Sequence, residues 1–172
     1  ICLPGKLAKC DACPISSSCD ALNADAVSHL PNKPKREASI QRARVVILIE
    51  CGTKVLVTQQ KVEDVNGGLW EFFSHPLEST KKLCEPTAAA VSGILKARLG
   101  LIGQTPTPWT HIRHSITRYR YTLYCFRVKV PKAFEPNAEY KWVSRSELNQ
   151  CAMPSAHNKL RGMIASTTRA KK

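Results

Sequence analysis

The sequence predicts an α+β domain, in which a mixed sheet carries flanking helices, preceded by a cysteine-rich segment and a connector. β-Branched runs separated by turn residues indicate strands before and after one amphipathic segment. Two more short helical patterns close the chain. An order of strands, helix, strands and terminal helices is typical of helices packed on a sheet.

The first strands lie around a turn. Residues 43–50 form a β-branched run, residues 51–53 form a turn, and residues 54–60 return as the second strand of a hairpin. Residues 66–68 then supply an Asn-Gly-Gly turn before a short strand over residues 69–73. We interpret Trp70 and Phe72 in that strand as core anchors.

One helix follows between two breaking residues. Pro86 marks its start and Gly100 its end. Its apolar residues recur at helical spacing on one face, which predicts packing against a sheet. They are Ala88, Val91, Leu95 and Leu99, with Ile94 beside them.

The rest of the domain is predicted from residue types and caps. Residues 111–130 are rich in Tyr, Thr and Val and predict two strands or one long bent hairpin, and residues 139–143 predict another strand. Ser144 with Glu147 three residues later predicts a capping box on a closing helix. A second closing helix covers residues 155–164, and residues 166–172 are predicted to be a basic, disordered tail.

The composition indicates an anionic partner. The chain has 172 residues, with 26 Lys and Arg against 13 Asp and Glu, and a net charge of +13. No apolar run approaches the roughly 20 residues that span a bilayer, and no signal peptide opens the chain. We therefore expect an intracellular protein, cytoplasmic, nucleoid or nuclear, with no membrane partner. Because Ile1 is not an initiator Met, we also expect a piece of a longer protein.

Four cysteines are crowded at the amino terminus with gaps of seven, two and five residues: Cys2, Cys10, Cys13 and Cys19. Such crowding favours a metal over a disulfide framework. Four thiolates suit a structural zinc ion or an iron-sulfur cluster. The single close pair favours the cluster, because zinc ribbons usually present two close pairs. Residues 1–20 are accordingly predicted to form a metal-binding loop.

Residues 21–42 are predicted to be an interdomain connector, because prolines and charges dominate and apolar periodicity is weak. Lys33, Lys35 and Arg36 in this connector are candidates for neutralising DNA phosphates. A solvated basic linker with no such contact is an equal alternative.

An ordered set of motifs resembles the adenine DNA glycosylases of the MutY type. It runs from CDACP through VLVTQQ, GGLWEFF and HIRHSITRYRY to KWVSRSEL and MPSAHNKL. The resemblance implies a 4Fe-4S cluster held by the four crowded cysteines and a Nudix-like domain over residues 43–165. It also implies that this domain recognises 8-oxoguanine in double-stranded DNA, so that the parent enzyme, a monomer, removes the adenine opposite the lesion.

The chain departs from that family in two ways. The first cysteine gap is seven residues, where the family usually has six, so that Cys2 lies one residue outside the family's spacing. The helix-hairpin-helix catalytic domain, with its catalytic Glu and Asp, would precede Ile1. We therefore predict no catalytic residue within this chain and expect this fragment alone to be inactive as a glycosylase.

The resemblance also implies a lesion-reading hairpin. The family's Phe-Ser-His loop aligns with Ile116, Thr117 and Arg118. The hydroxyl of Thr117 is expected to bond the oxidised purine edge, whereas Arg118 replaces an imidazole. His114 is a candidate for positioning DNA, with an ordinary structural histidine as the alternative. Arg118 and Arg120 are predicted to share one strand face and Tyr119 and Tyr121 the other. A DNA-contacting surface and a solvated charged face opposite core-packed tyrosines are equal interpretations of this alternation.

A Nudix hydrolase holds magnesium through an Arg-Glu and a Glu-Glu pair on a helix before a glycine. Anchored on Gly100, this pattern places Gly93 and Ile94 at the first pair and Ala97 and Arg98 at the second. Only Glu85 provides an acidic match. We predict no magnesium-dependent hydrolysis, which disfavours a hydrolase of oxidised nucleotides. The competing hypothesis is a free-standing degenerate Nudix-like binding module that carries zinc or a cluster.

Overall fold

The structure, a computed structural model, describes residues 2–3, 7–34, 37–63, 66–77, 84–136 and 139–169. The chain divides into two units, Ile1–Ala38 and Ser39–Lys172. The first unit consists of short helical turns. They are the 3-10 turns Cys10–Ala12, Ser16–Ser18 and Val27–His29 and the one-turn helix α1 (Asp20–Asn23).

The second unit is built on one six-stranded sheet in the order β4-β5-β1-β3-β2-β6. Strands β1 and β5 run parallel, and the other pairings are antiparallel. The elements are β1 (Ile40–Cys51), β2 (Lys54–Gln59), β3 (Trp70–Leu77), α2 (Ala88–Leu99), β4 (Thr107–Ile116), β5 (Tyr119–Lys129), β6 (Tyr140–Ser144), α3 (Arg145–Gln150) and α4 (Ser155–Arg169). The predicted α+β class with a mixed sheet is confirmed.

Two apolar layers cover the two faces of the sheet. On one face Val45, Ile47 and Ile49 of β1 pack with residues of α2, of which Val91 and Leu95 are fully buried. On the other face alternate β1 residues join the closing helices α3 and α4 in a second core. Because side chains alternate along a strand, the continuously buried part of β1, residues 45–50, requires cover on both faces.

The predicted end of helix α2 at Gly100 is confirmed, whereas the helix begins at Ala88, two residues after Pro86. The side chain of Thr87 accepts a hydrogen bond from the Ala90 N–H (3.3 Å). Gly100 ends the helix with φ of +67°, the left-handed conformation that glycine adopts without strain. The capping box of α3 is confirmed as well, since Ser144 and Glu147 exchange both hydrogen bonds.

Several boundaries differ from the sequence prediction, among them the start of β4 at Thr107, four residues before the predicted residue 111. Strand β1 begins at Ile40, inside the predicted connector, because Ile40 pairs with Tyr119 of β5. Strand β3 continues to Leu77, which pairs with Ala43 of β1. Helix α4 continues to Arg169, into the predicted tail, since a formed helix propagates through residues that would not start one.

Among the described residues, no helix is long and apolar enough to cross a membrane.

Candidate functional site

The four crowded cysteines line a single cavity of about 290 Å³ in the first unit. Short turns bring them there: the Cys13 N–H donates to the Cys10 carbonyl (3.0 Å) and the Cys19 N–H to the Ser16 carbonyl (3.2 Å). Cys2 is exposed, whereas Cys10, Cys13 and Cys19 are partly buried. The remaining lining is mainly apolar and includes Leu3, Ala8, Ala21, Leu22, Val27, Leu30 and Pro31.

The thiols influence one another electrostatically. Burial raises the pKa of Cys10, and neighbouring Cys19, Cys13, Asp11 and Cys2 raise it further. Without a cation, this thiol is therefore held protonated, and a metal must displace its proton.

Four thiols are the donor set of a structural zinc ion or of an iron-sulfur cluster. In the described part of the chain, no set of three or more Cys, His, Asp or Glu residues is close enough to hold a metal ion. Four sulfurs around one zinc ion would lie about 3.8 Å apart, given the Zn–S distance of about 2.3 Å. An iron-sulfur cluster separates its thiolates more widely, because the irons and sulfides lie between them. The donor set and the open cavity fit such a cluster.

The β4–β5 hairpin has a two-residue turn made by Thr117 and Arg118. Thr117 has φ of +51°, a conformation that is rare for a β-branched residue and is often found at functional sites. Its hydroxyl donates to the Ile116 carbonyl (2.7 Å). The Ile40 N–H donates to the Arg118 carbonyl (3.0 Å), which ties the turn to the start of β1.

An aromatic-cation cluster, which we define as Arg42, His114, Arg118, Tyr119 and Tyr121, adjoins this turn. The guanidinium carbons of Arg42 and Arg118 lie 5.5 and 5.7 Å from the centroid of the Tyr119 ring. The His114 ring stacks on Tyr121 with a centroid distance of 5.2 Å. Flat rings and guanidinium groups of this kind stack on nucleobases.

The prediction that Arg118 and Arg120 share one strand face is wrong for Arg118. Strand β5 begins at Tyr119, so that Arg118 lies in the turn and its guanidinium lies over the Tyr119 ring. Arg120 is in the strand and alternates with Tyr119 and Tyr121 as expected. The turn therefore brings one arginine to the tyrosine face.

The structure brings some predicted site residues together and leaves others apart. Ile116, Thr117, Arg118 and His114 lie together at the tip of the β4–β5 hairpin. Lys33 is exposed in the first unit, and Lys35 and Arg36 lie outside the described residues. Arg42 was missed as a site residue because it falls in the predicted connector. Tyr119 and Tyr121 were signalled by the alternation of Arg and Tyr, although a core role was an equal interpretation.

Burial lowers the pKa of His114, and Lys159 lowers it further, whereas Glu71 opposes this shift. The ring is consequently neutral at neutral pH, with one nitrogen that donates and one that accepts. A stacked neutral imidazole suits contact with a base edge better than contact with phosphate alone.

Helix α2 is the segment that the magnesium-binding pattern anchored on Gly100 covers. Gly93, Ala97 and Arg98 are exposed, and Ile94 packs against the core of this face. Arg98 hydrogen-bonds the Tyr140 side chain, although burial still raises the pKa of Tyr140. No carboxylate lies on this helix. Clustered carboxylates, which a hard cation requires, are therefore missing from it.

The conspicuous polar residues of GGLWEFF and MPSAHNKL serve the fold. Buried Glu71 accepts hydrogen bonds from Asn66 Nδ2 (2.9 Å) and Gln60 Nε2 (3.1 Å). Buried His157 accepts the Phe72 N–H at Nδ1 (3.1 Å). Trp70 packs against the core and Phe72 is fully buried, as predicted for core anchors.

Solved structures share this fold at low sequence identity. The C-terminal domain of mouse MUTYH, in complex with human PCNA, matches with a TM-score of 0.58 and 21% identity over 74% of this chain and 90% of that one. The E. coli ORF135 protein matches with a TM-score of 0.58 and 23% identity over 77% of this chain and 94% of that one. A MutT protein from Methanosarcina mazei matches with a TM-score of 0.57 and 16% identity over 80% and 99%.

Comparison of the sequence with curated proteins found no match. The family described as NUDIX domain matches residues 44–162, the span that contains the sheet, α2 and the closing helices. The chain therefore belongs to the NUDIX domain family.

Proposed function

We propose that this chain is the carboxy-terminal portion of an A/G-specific adenine DNA glycosylase, which acts in base excision repair on adenine opposite 8-oxoguanine. In this role the chain docks double-stranded DNA and recognises the lesion. The observation that carries the proposal is the aromatic-cation cluster beside the strained Thr117 turn. The ordered resemblance to MutY-type enzymes and the fold shared with the mouse MUTYH domain support it.

The proposed domain organisation assigns one task to each part. Residues 1–20 form the cluster loop, residues 21–39 connect it, and the Nudix-like domain runs from the start of β1 at Ile40 to the end of α4 at Arg169. Base removal needs a proton donor and a carboxylate near the developing positive charge. We assign both to a separate catalytic domain of the parent enzyme, so that this chain contributes binding.

The turn offers the chemistry that lesion recognition needs. A hydroxyl at Thr117 can exchange its bond to the Ile116 carbonyl for one to the purine edge, and the Arg118 guanidinium supplies further donors. Ile116 provides an apolar wedge beside them. Hydrogen bonds to the oxidised edge distinguish 8-oxoguanine from guanine, whereas phosphate contacts serve both equally.

We expect the Thr117→Ala/Arg118→Ala variant to lose most of the preference for duplexes with 8-oxoguanine opposite adenine over those with guanine opposite adenine. Losing hydrogen bonds to one base edge costs about 1 to 3 kcal/mol, or roughly 5- to 150-fold in that ratio. Fluorescence anisotropy of the 172-residue chain on both duplexes measures the ratio.

The matched control is Lys132→Ala, an exposed cation beyond the opposite end of β5. It should weaken binding to the two duplexes equally. If the wild-type chain shows no preference for 8-oxoguanine over guanine, or if the Thr117→Ala/Arg118→Ala variant keeps the full preference, this turn does not recognise the lesion.

We propose a 4Fe-4S cluster held by Cys2, Cys10, Cys13 and Cys19, whose bound thiolates would fix the first unit for DNA docking. Anaerobically purified chain is expected to contain about four irons and four sulfides. Cys13→Ser should lose most of that iron, because it removes one ligand of the close pair. Cys84→Ser, which changes an exposed cysteine of the NUDIX domain, should retain it.

The same metal and sulfide measurement tests the alternative function. One zinc ion and no sulfide would identify the cysteines as a structural metal site and favour a free-standing, degenerate Nudix-like binding module without catalysis. Because helix α2 carries no Asp or Glu, we propose binding and not hydrolysis in either case.

A further inference from the structure

A second cavity, of about 500 Å³, opens at the end of the sheet where the β4–β5 hairpin turns. It lies beside the aromatic-cation cluster, but most of its side chains belong to the other face of the sheet. Arg120 pairs with Ser115 of β4 and with Gln41 of β1, whereas Arg113 pairs with Thr122. The groove, as we call it, is lined by Ser39, Gln41, Arg113, Ser115, Arg120, Thr122 and Tyr124, and it borders His114 and Tyr121 of the aromatic-cation cluster.

The groove is positively charged, and its described lining includes no carboxylate. Arg113 and Arg120 are both exposed. Within the described part of the chain, neither forms a salt bridge, in contrast to Arg127 and Arg145, which both contact Glu50. Guanidinium groups held without a carboxylate partner are available for an anion from solution.

The arrangement suits phosphate groups in particular. Arg113 and Arg120 are diagonal neighbours across the β4–β5 pair, which places their Cα atoms roughly 7 to 8 Å apart. Each guanidinium presents a planar fork that binds a phosphate through two hydrogen bonds. The hydroxyls of Ser115 and Thr122 and the amide of Gln41 add neutral donors.

We infer that the groove binds consecutive phosphates of a polynucleotide backbone, while the cluster on the opposite face contacts a base. The inference rests on the proposed function and extends it with a phosphate site on the other face of the same strands. Two arginines at diagonal positions of neighbouring strands suit two phosphates in a row better than a single phosphate group. The net charge of +13 favours the same ligand.

The test is the salt dependence of binding to an undamaged duplex. Arg113→Gln/Arg120→Gln should flatten the slope of log affinity against log salt by about 0.9 for each phosphate that is no longer neutralised, close to 2 in total. Lys129→Gln/Lys132→Gln removes the same charge at the far end of β5 and should change the slope by less than half as much. Because all four side chains are exposed, equal melting temperatures are expected and verify folding.

The outcomes separate the possible phosphate sources. A slope that changes equally in the two double variants overturns the inference, as does a wild-type chain that does not bind the duplex. A third outcome is that the double arginine variant loses binding of inorganic pyrophosphate but leaves the salt slope on DNA unchanged. That result assigns the groove to free phosphates and overturns the polynucleotide ligand. Because the duplex is undamaged, loss of lesion preference leaves this result unaffected, so that the two proposals fail separately.

Discussion

Acidification from pH 7 to pH 4 is expected to destabilise the NUDIX domain by roughly 3 kcal/mol through His157 alone. Burial lowers the pKa of His157 to about 3, and the charge of Arg44, together with that of His114 once it is protonated, lowers it further. The hydrogen bond from the Phe72 N–H occupies Nδ1, so that protonation at this nitrogen would break it. The folded state therefore keeps the ring neutral.

The direction of the effect follows from the two states. The unfolded chain binds a proton at His157 near the ordinary pKa of 6.5, whereas the folded chain resists until about pH 3. The contribution of the neutral His157 ring to the unfolding free energy is thus fully present above pH 6.5. It falls by about 1.4 kcal/mol per pH unit as the pH is lowered from 6.5 towards 3. Burial also lowers the pKa of His75, which adds a smaller loss in the same direction.

Urea unfolding at several pH values measures this dependence, with His157→Asn as the informative variant. The asparagine side-chain oxygen in this variant can accept the Phe72 N–H but does not titrate. The variant should therefore be less stable than the wild type at pH 7, and its unfolding free energy should change less with pH below 6.5. His75→Asn is the matched control and should reduce the dependence of unfolding free energy on pH much less. Identical pH dependence in the wild type and His157→Asn would contradict the prediction.

Replacing Arg127 by methionine is expected to cost about 3 to 5 kcal/mol of unfolding free energy, because it removes the main partner of a buried carboxylate. Glu50 is only 5% exposed. Arg127 bonds both of its oxygens, at 2.8 to 3.2 Å, and its guanidinium carbon lies 5.2 Å from the centroid of the Trp109 ring. A second, longer contact to the same carboxylate comes from Arg145 at 3.4 Å.

Chemical denaturation at pH 7 tests this with two further variants. Arg145→Met should cost less than about 1 kcal/mol, since its side chain is more exposed and its contact longer. Glu50→Gln/Arg127→Met should recover much of the loss, because a neutral amide costs less to bury than an unpaired carboxylate. If Arg127→Met costs no more than Arg145→Met, the pair does not stabilise the fold as described.

Elements encoded by local signals were predictable from the sequence. Gly100 ends α2 and Ser144 with Glu147 starts α3, because each signal acts through bonds within a few residues. The alternation of Arg120 with its neighbouring tyrosines also follows from the period of a strand. The crowded cysteines were found for a similar reason, since their short spacing alone brings them to one cavity.

Features made by distant residues were not predictable in this way. The start of β1 depends on Tyr119, and the salt bridge of Glu50 depends on Arg127, which the parallel β1–β5 pairing brings alongside. Arg42 falls in the predicted connector for the same reason, although it contributes to the aromatic-cation cluster. A search for periodicity cannot find a partner whose position is fixed by sheet order.

The parallel pairing of β1 with β5 also has a consequence for the order of folding. Strand β1 is central, yet its neighbour β5 comes late in the chain, after β2, β3, α2 and β4. Contacts between segments so distant in sequence close slowly, because the intervening chain loses entropy first. During synthesis one edge of β1 stays unpaired until β5 leaves the ribosome, so the nascent domain is exposed to mispairing for most of its translation.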